Sequence, residues 1–184
     1  SLKDGEQLVT TTDTLSEGVH FFKNALPSDI AYKSLAVNLS DIAAMGASAK
    51  YFTLALTLPK LDQDWLKEFS NSLRQLSEYH NVSLIGGDTT KGPLSITITM
   101  MGVVENAMAL RRTGASSGDG VYVSGTIGDA ALCLKKISDG LIPNSQELLR
   151  LNQPTPRLEL GKALKGIASS CIDISDGLEQ DLSH

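Results

Sequence analysis

The stretch Val9–Phe22, VTTTDTLSEGVHFF, decides how the rest of the chain is read. Its β-branched residues stand in a row, so Leu8–Thr12 is expected to be a short strand. That strand should stop at Asp13, with Ser16, Glu17 and Gly18 forming a turn before Val19, His20, Phe21 and Phe22. A carboxylate at a strand end, with hydroxyls before it and a turn after it, is placed to face a cleft. Three further stretches offer the same chemistry: NLSD at Asn38–Asp41, GGDTT at Gly86–Thr90 and DISDG at Asp173–Gly177. Each sets carboxylate and hydroxyl oxygens beside a small or flexible residue. None brings a thiolate or an imidazole cluster.

Outward from that stretch, Pro27, Ser28 and Asp29 open a helix, with Ser28 or Asp29 as the expected N-cap. Ile30, Leu35, Leu39, Ile42 and Met45 give it an apolar stripe, and Gly46 suits its C-terminal end. Tyr51–Leu58 reads as a strand stopped by Pro59. Asp62–Tyr79 is the clearest helix, with Trp65, Leu66, Phe69, Leu73, Leu76 and Tyr79 on one face. Val82–Ile85 is expected as a short buried strand ending at Gly86 and Gly87, and Leu94–Val104 as a long strand. The order β-α-β-α-β-β predicts an α+β fold, a mixed sheet with helices on one face. The polar, Gly-rich run Arg111–Gly120 suits a linker. Beyond it, strands are expected at Val121–Ser124 and Cys171–Ile174, and helices at Ile127–Ile137, Asn144–Leu151 and Pro156–Ser169. Ser175 and Asp176 should cap a last helix that has barely begun at His184, so this second unit is expected to be incomplete.

With 184 residues, 41% hydrophobic and 20% charged, the chain has the composition of a globular protein with a sizeable core. The net charge is −5 and no basic run exceeds Arg111-Arg112, which argues against non-specific nucleic-acid binding. No apolar run is long enough to span a bilayer, and no signal peptide is expected. Cys133 and Cys171 lie far apart among apolar residues and read as two buried thiols in a reducing compartment, hence a cytoplasmic protein.

P-loop, GxGxxG and HExxH patterns are absent, and the one GxSxG match, Gly114–Gly118, falls in the polar linker run and is no strand-to-helix elbow. The histidines are His20, His80 and His184, and His80, at a helix end, is expected at the surface. What remains is aspartate: Asp13, Asp41, Asp88, Asp173 and Asp176, all at element ends or among small residues. Hard oxygen ligands of this kind suit magnesium, which takes one or two carboxylates and fills its shell with water and phosphate oxygens. Divalent cations would let a polyphosphate enter an acidic cleft, the logic of metal-assisted phosphoryl transfer. Singly, an Asp at a strand end is more often a turn or cap residue. Asp41 differs, because it sits on a helix in an apolar, Ala-rich setting where an unpaired carboxylate is costly. Asn38 lies one turn before it, on the same helix face. Gly86 and Gly87 would let a ligand approach the backbone, or merely make a tight turn. His20 reads more readily as a satisfied half-buried histidine, and Arg111 and Arg112 as a solvated pair or as a phosphate clamp.

Taken in order, TTDTLSEGVHF, NLSDIAAMGA, GGDTT, RRTGASSGD and DISDGL resemble the thiamine-monophosphate kinase family, a branch of the aminoimidazole ribonucleotide synthetase-like superfamily. The first two motifs together are specific to the kinases; GGDTT and DxSDGL are shared more widely. The resemblance implies ATP-dependent phosphorylation of thiamine monophosphate to thiamine diphosphate, by in-line transfer with several magnesium ions. It implies an N-terminal α+β domain over residues 1–108 whose sheet pairs with a second subunit in a homodimer, and part of a C-terminal α/β domain over 109–184. Carried over by motif, Asp13 with the hydroxyls of Thr11 and Thr12 would bind metal, and His20 would touch the thiamine phosphate. Asp41 would bridge metals, and Gly87 and Asp88 would hold metal and nucleotide. Arg112 would reach the ATP phosphates, Asp173 and Asp176 would complete the metal set, and Ser175 would lie near the nucleotide. The family also carries a Gly-Asp-Asp segment before the first strand and further segments after DISDGL, and this sequence has neither. Two alternatives stay open: another member of the superfamily acting on a different acceptor, and a non-catalytic metal-binding dimerisation module.

Overall fold

The structure, a computed structural model, describes residues 2–184. Its first unit runs β1 Glu6–Ser16, α1 Pro27–Ala44, β2 Ser48–Leu58, α2 Gln63–Tyr79, β3 Ser83–Lys91 and β4 Ser95–Glu105. The strands form one mixed sheet in the order β1-β4-β2-β3. β4 lies antiparallel to both β1 and β2, and β2 lies parallel to β3. The expected α+β layer of helices on a mixed sheet is therefore the fold. A parallel β2-β3 pair requires a crossover, and α2 supplies it.

Alternation builds the core. On β4, Ile96, Ile98, Met100 and Val104 are buried, each two residues from the next apart from Gly102 between the last two. Gly102 is small for a packing reason: a Cβ there would lie 2.9 Å from the Ser48 carbonyl oxygen and 3.2 Å from an Ile42 methyl. α1 lies against this face through Leu35, Leu39 and Ile42, all fully buried. Pro27 sits in its first turn after Leu26, so neither Ser28 nor Asp29 is the cap. Its other end is a Schellman turn, in which Ala47 N–H donates to the Ile42 carbonyl and Gly46, at φ +65°, to that of Ala43. On α2 the Asp62 side chain accepts from the Trp65 N–H, and Phe69, Leu73 and Leu76 are buried.

Several expectations are corrected. β1 does not stop at Asp13; it runs to Ser16, because β4 offers a partner along its whole length, with Asp13 opposite Ile98. β3 is neither short nor buried. It continues through Gly86 and Gly87 to Lys91, exposed throughout, because it is an edge strand that pairs with β2 but is left uncovered. A register shift between Phe52 and Thr53 absorbs the extra residue Ile85.

In the second unit, α3 is Asp129–Ser138, α4 Ser145–Asn152, α5 Leu158–Leu164 and α6 Leu178–Leu182. The strands expected at Val121–Ser124 and Cys171–Ile174 do not form, since neither finds a ladder partner among the described residues. The helix expected to reach Ser169 ends at Leu164, where Lys165 turns extended and Gly166 takes φ +73°. Gly177, not Ser175 or Asp176, precedes the last helix. Both cysteines are free; Cys133 is buried, and Cys171 is only half-buried. His80 caps α2 half-buried, its ring edge-on to Tyr79. α5 joins the two units: Leu158 enters the core, and Gly161 lies so close to α1 that a Cβ would come within 2.0 Å of the Ala43 carbonyl oxygen.

Candidate functional site

β1 sorts its residues by the two-residue period of a strand. Val9 and Leu15 are buried toward the helices, and Thr11 and Asp13, on the same face between them, are half-buried. α1 runs beneath that face and brings Asp41 to it. The Thr11 hydroxyl donates a hydrogen bond to Asp41 Oδ2. The Asp13 and Asp41 carboxyls are within hydrogen-bonding reach of each other. Asp173 arrives from the loop after α5, where nearby Ser40 of α1 favours its charged form. Three carboxyl groups, half-buried and from three separate segments, thus meet at one place.

Their electrostatics follow. Burial, and then the charge of Asp173, hold the Asp13 carboxyl above its ordinary value. Burial raises Asp41 too; the Thr11 hydroxyl pulls it back while Asp13 pushes it further up. Asp173 is raised first by burial and next by Asp41. Like charges that desolvate together disfavour ionisation. No Lys or Arg forms an ion pair with any of the three among the described residues. Among the described residues, no three His, Cys, Asp or Glu side chains converge tightly enough to be a ready-made cage. The mutual perturbation of the carboxyls is the more telling observation, because it reports like charges in one low-dielectric place. An all-oxygen, acidic and open donor set fits a hard divalent cation that keeps water and phosphate oxygens in its shell.

The other candidates fall at different distances. Thr12 is on the opposite, exposed face, where its hydroxyl contacts that of Thr99 at 2.9 Å. Bringing it beside Asp13 would require β1 to turn over. Asp88 lies on β3, at the far edge of the sheet from β1, three strand spacings or about 14 Å across. Its Oδ1 accepts from the Thr89 N–H at 2.8 Å. Gly87 is at φ +153° with room for no side chain, since a Cβ would sit 1.9 Å from the Leu54 carbonyl oxygen. Arg112 is exposed in the loop after β4. The neighbouring Arg111 carbonyl accepts from Cys171 N–H at 3.0 Å, which ties that loop to the segment carrying Asp173. Asn38 does not share a polar surface with Asp41. It is fully buried, gives its amide to the Ser34 carbonyl, and leaves its Oδ1 without a partner.

His20 follows β1 in a loop and is exposed. Its Nδ1 accepts from the Ser16 N–H at 3.0 Å, so the neutral ring carries its proton on Nε2. The ring is near enough to Asp13 to favour that carboxylate's charged form.

Asp181 was not singled out by the sequence. It is buried, and its Oδ2 accepts from the N–H groups of Ser175, Asp176 and Gly177 at 2.8, 3.2 and 3.2 Å. It therefore fixes the loop that carries Ser175 and Asp176, an anion held in a backbone nest. An aspartate a few residues after a Ser-Asp-Gly turn is the only sequence signal for it.

Comparison with known proteins agrees with this architecture. Residues 1–104 match the family described as AIR synthase related protein, N-terminal domain. All of the chain aligns with the thiamine-monophosphate kinase of Haemophilus influenzae, at 50% identity over 188 residues, and spans 57% of that protein. A crystal structure of thiamine-monophosphate kinase from Stenotrophomonas maltophilia K279a superposes with a TM-score of 0.95 at 46% identity, over 98% of this chain and 60% of that one. A structure described as AaThiL complexed with AMPPCP and TMP superposes with a TM-score of 0.90 at 30% identity, again over 98% and 60%. The chain therefore spans somewhat under two thirds of the relatives it matches. With its first 104 residues matching over more than half its length, the chain belongs to the AIR synthase related protein family, by that family's N-terminal domain.

Proposed function

We propose that the full-length protein transfers the γ-phosphoryl group of ATP to thiamine monophosphate, giving thiamine diphosphate and ADP. The observation that carries this reading is the meeting of Asp13, Asp41 and Asp173, three half-buried carboxyls with raised pKa and, among the described residues, no cationic side chain paired to them. Relatives that are 46% to 50% identical are named for this activity. One solved relative holds both an ATP analogue and TMP.

In this reading Asp13, Asp41 and Asp173 would hold magnesium, with Asp176 contributing from the loop fixed by Asp181, while Asp88, across the sheet on β3, would hold metal at the nucleotide beside Gly87. Magnesium, when bound, neutralises phosphate charge and aligns the donor and acceptor oxygens. Thr11 keeps Asp41 oriented by its hydrogen bond. Thr12, whose hydroxyl faces away toward Thr99, stands outside this set. His20 offers Nε2–H to the acceptor's phosphate, a charge-assisted bond. Gly87, Arg112 and Ser175 serve the nucleotide: the glycine by letting it approach the backbone, the arginine by its charge, the serine from the 175–177 turn.

The exposed face of the sheet, with its Thr12–Thr99 and Thr14–Thr97 hydroxyl pairs, is the surface through which we expect two copies to pair. Residues 1–108 would then form the metal-binding and dimer-forming domain, and 109–184 part of a second. No described helix is long and apolar enough to cross a membrane. The acidic net charge of −5 fits neither nucleic acid nor an anionic membrane as a partner, and two free thiols fit the cytoplasm. The test is ADP formation by the full-length protein with ATP and magnesium. It should rise strongly on adding thiamine monophosphate and stop with a chelator. Turnover indifferent to thiamine monophosphate would favour a different acceptor and overturn the reading.

A further inference from the structure

We infer that Lys33 is a positioning residue that holds His20 in its working orientation; the inference rests on the acceptor role proposed above for His20. Lys33 lies on α1 with its side chain half-buried. Its Nζ donates to the His20 carbonyl at 2.9 Å.

The rest of the loop is closed on itself. Val19 and His20 N–H both donate to the Ser16 carbonyl, at 3.2 and 3.0 Å, and Gly18 N–H donates to that of Phe21 at 2.8 Å. Phe21 anchors one end in the core. These bonds give the loop its shape, and the Lys33 bond ties that shape to α1.

What is fixed is a ring as well as a backbone. Ser16 N–H holds Nδ1 as an acceptor, so Nε2 is the donor. That arrangement survives only while the peptide planes on either side of His20 stay in place, and Lys33 grips the carbonyl of that residue.

The setting of Lys33 argues that the contact has a purpose. Among the described residues it makes no ion pair, and its one recorded partner is a neutral carbonyl. Half-burial alone pulls the ammonium below its usual pKa, so the position is a costly one for a cation. α1 also carries Asp41, eight residues on, a rise of about 12 Å. One rigid helix therefore sets both the carboxyl cluster and the loop whose His20 donates a hydrogen bond to the acceptor's phosphate, and Lys33 is its link to the loop.

The experiment uses the full-length protein in four forms: Lys33→Met, Lys33→Arg, His20→Ala and the Lys33→Met/His20→Ala double variant. The first readout needs no substrate. The ring-nitrogen NMR shifts of His20 should report one fixed tautomer in the wild type and an average of two in Lys33→Met. Unchanged shifts in a folded Lys33→Met protein overturn the inference, whatever the substrate proves to be. The second readout is steady-state kinetics. Lys33→Met should raise KM for thiamine monophosphate roughly threefold to tenfold, the loss of part of one charge-assisted bond, with kcat and KM for ATP little changed. Lys33→Arg should recover most of the loss. The double variant should be no worse than His20→Ala, since coupled residues are not additive. Additive losses, or an equal rise in KM for ATP, would mean that Lys33 acts elsewhere. Should Lys33→Met fail to fold, Lys33→Gln is read by the same criteria. A wild type with normal His20 shifts but no use of thiamine monophosphate would sink the proposed activity and leave the Lys33 contact to be judged by the shifts alone.

Discussion

Asp13, Asp41 and Asp173 each hold a proton more tightly in the native state than in the unfolded chain. The sign of the linkage follows. Above the ordinary carboxylate value of 3.8, and up to the raised native values, the folded protein binds more protons than the unfolded one. Stability contributed by these groups therefore falls as pH rises through that window. In metal-free protein, Asp41→Asn should flatten this fall, because it removes one of the repelling charges. Thermal unfolding of wild type and variant at a series of pH values from about 4 to about 7 checks it. Parallel profiles would mean that the three carboxyls do not sense one another. The sequence made these aspartates visible as a class, because oxygen ligands beside small residues are a recognisable pattern. It did not separate Thr11 from Thr12. That difference depends on β1 continuing past Asp13, so that the strand period turns alternate hydroxyls to opposite faces. Asp181 was hidden for a related reason: its partners are three backbone N–H groups, and its place after the Ser-Asp-Gly turn is the one trace such a nest leaves in the sequence.

Elements that carry their own periodicity were legible. α2 shows its apolar face in the sequence, and Asp62, which begins the expected helix, is its cap. β4 shows strict alternation and is a strand within one residue of expectation. Elements that depend on a partner were not. Val121–Ser124 and Cys171–Ile174 have strand-like composition, yet a strand needs a ladder, and none reaches them among the described residues. β3 shows the opposite error: GGDTT looks like a turn, but β2 supplies a parallel ladder and the backbone stays extended. The docking of α5 on α1 gives the sharpest prediction at this scale. Gly161→Ala would drive a methyl to 2.0 Å from the Ala43 carbonyl oxygen, which belongs to a helix backbone and cannot move cheaply. The variant should lose about 1–3 kcal/mol of stability, as overpacking does. Chemical denaturation measures the loss, and limited proteolysis should show earlier cleavage between β4 and α3. Wild-type stability would mean that α5 is not held against α1.

At the scale of the molecule, one face of the sheet is covered by α1 and α2, while the other presents Leu8, Tyr51 and rows of threonine hydroxyls to solvent. Leu8 is 54% exposed and Tyr51 50%, on a sheet whose β3 edge is also unprotected. Such a surface calls for a partner, and a self-complementary one is the simplest. The full-length protein should sediment as a dimer at micromolar concentration, and a monomer there would argue against sheet-to-sheet pairing. Pairing would also bear on the distance between Asp13 and Asp88, which occupy opposite edges of one sheet. The central claim is that the carboxyl cluster holds the cations of a phosphoryl transfer from ATP to thiamine monophosphate. It is tested most directly by the turnover of full-length Asp41→Asn, with folding verified by circular dichroism and thermal unfolding. Asp41 sits at the centre of the cluster: it accepts from Thr11, and its charge bears on both Asp13 and Asp173. The account predicts that kcat for thiamine diphosphate formation falls at least about a hundredfold, because a charge that positions the cations is gone. Near-wild-type turnover in a folded variant would contradict it.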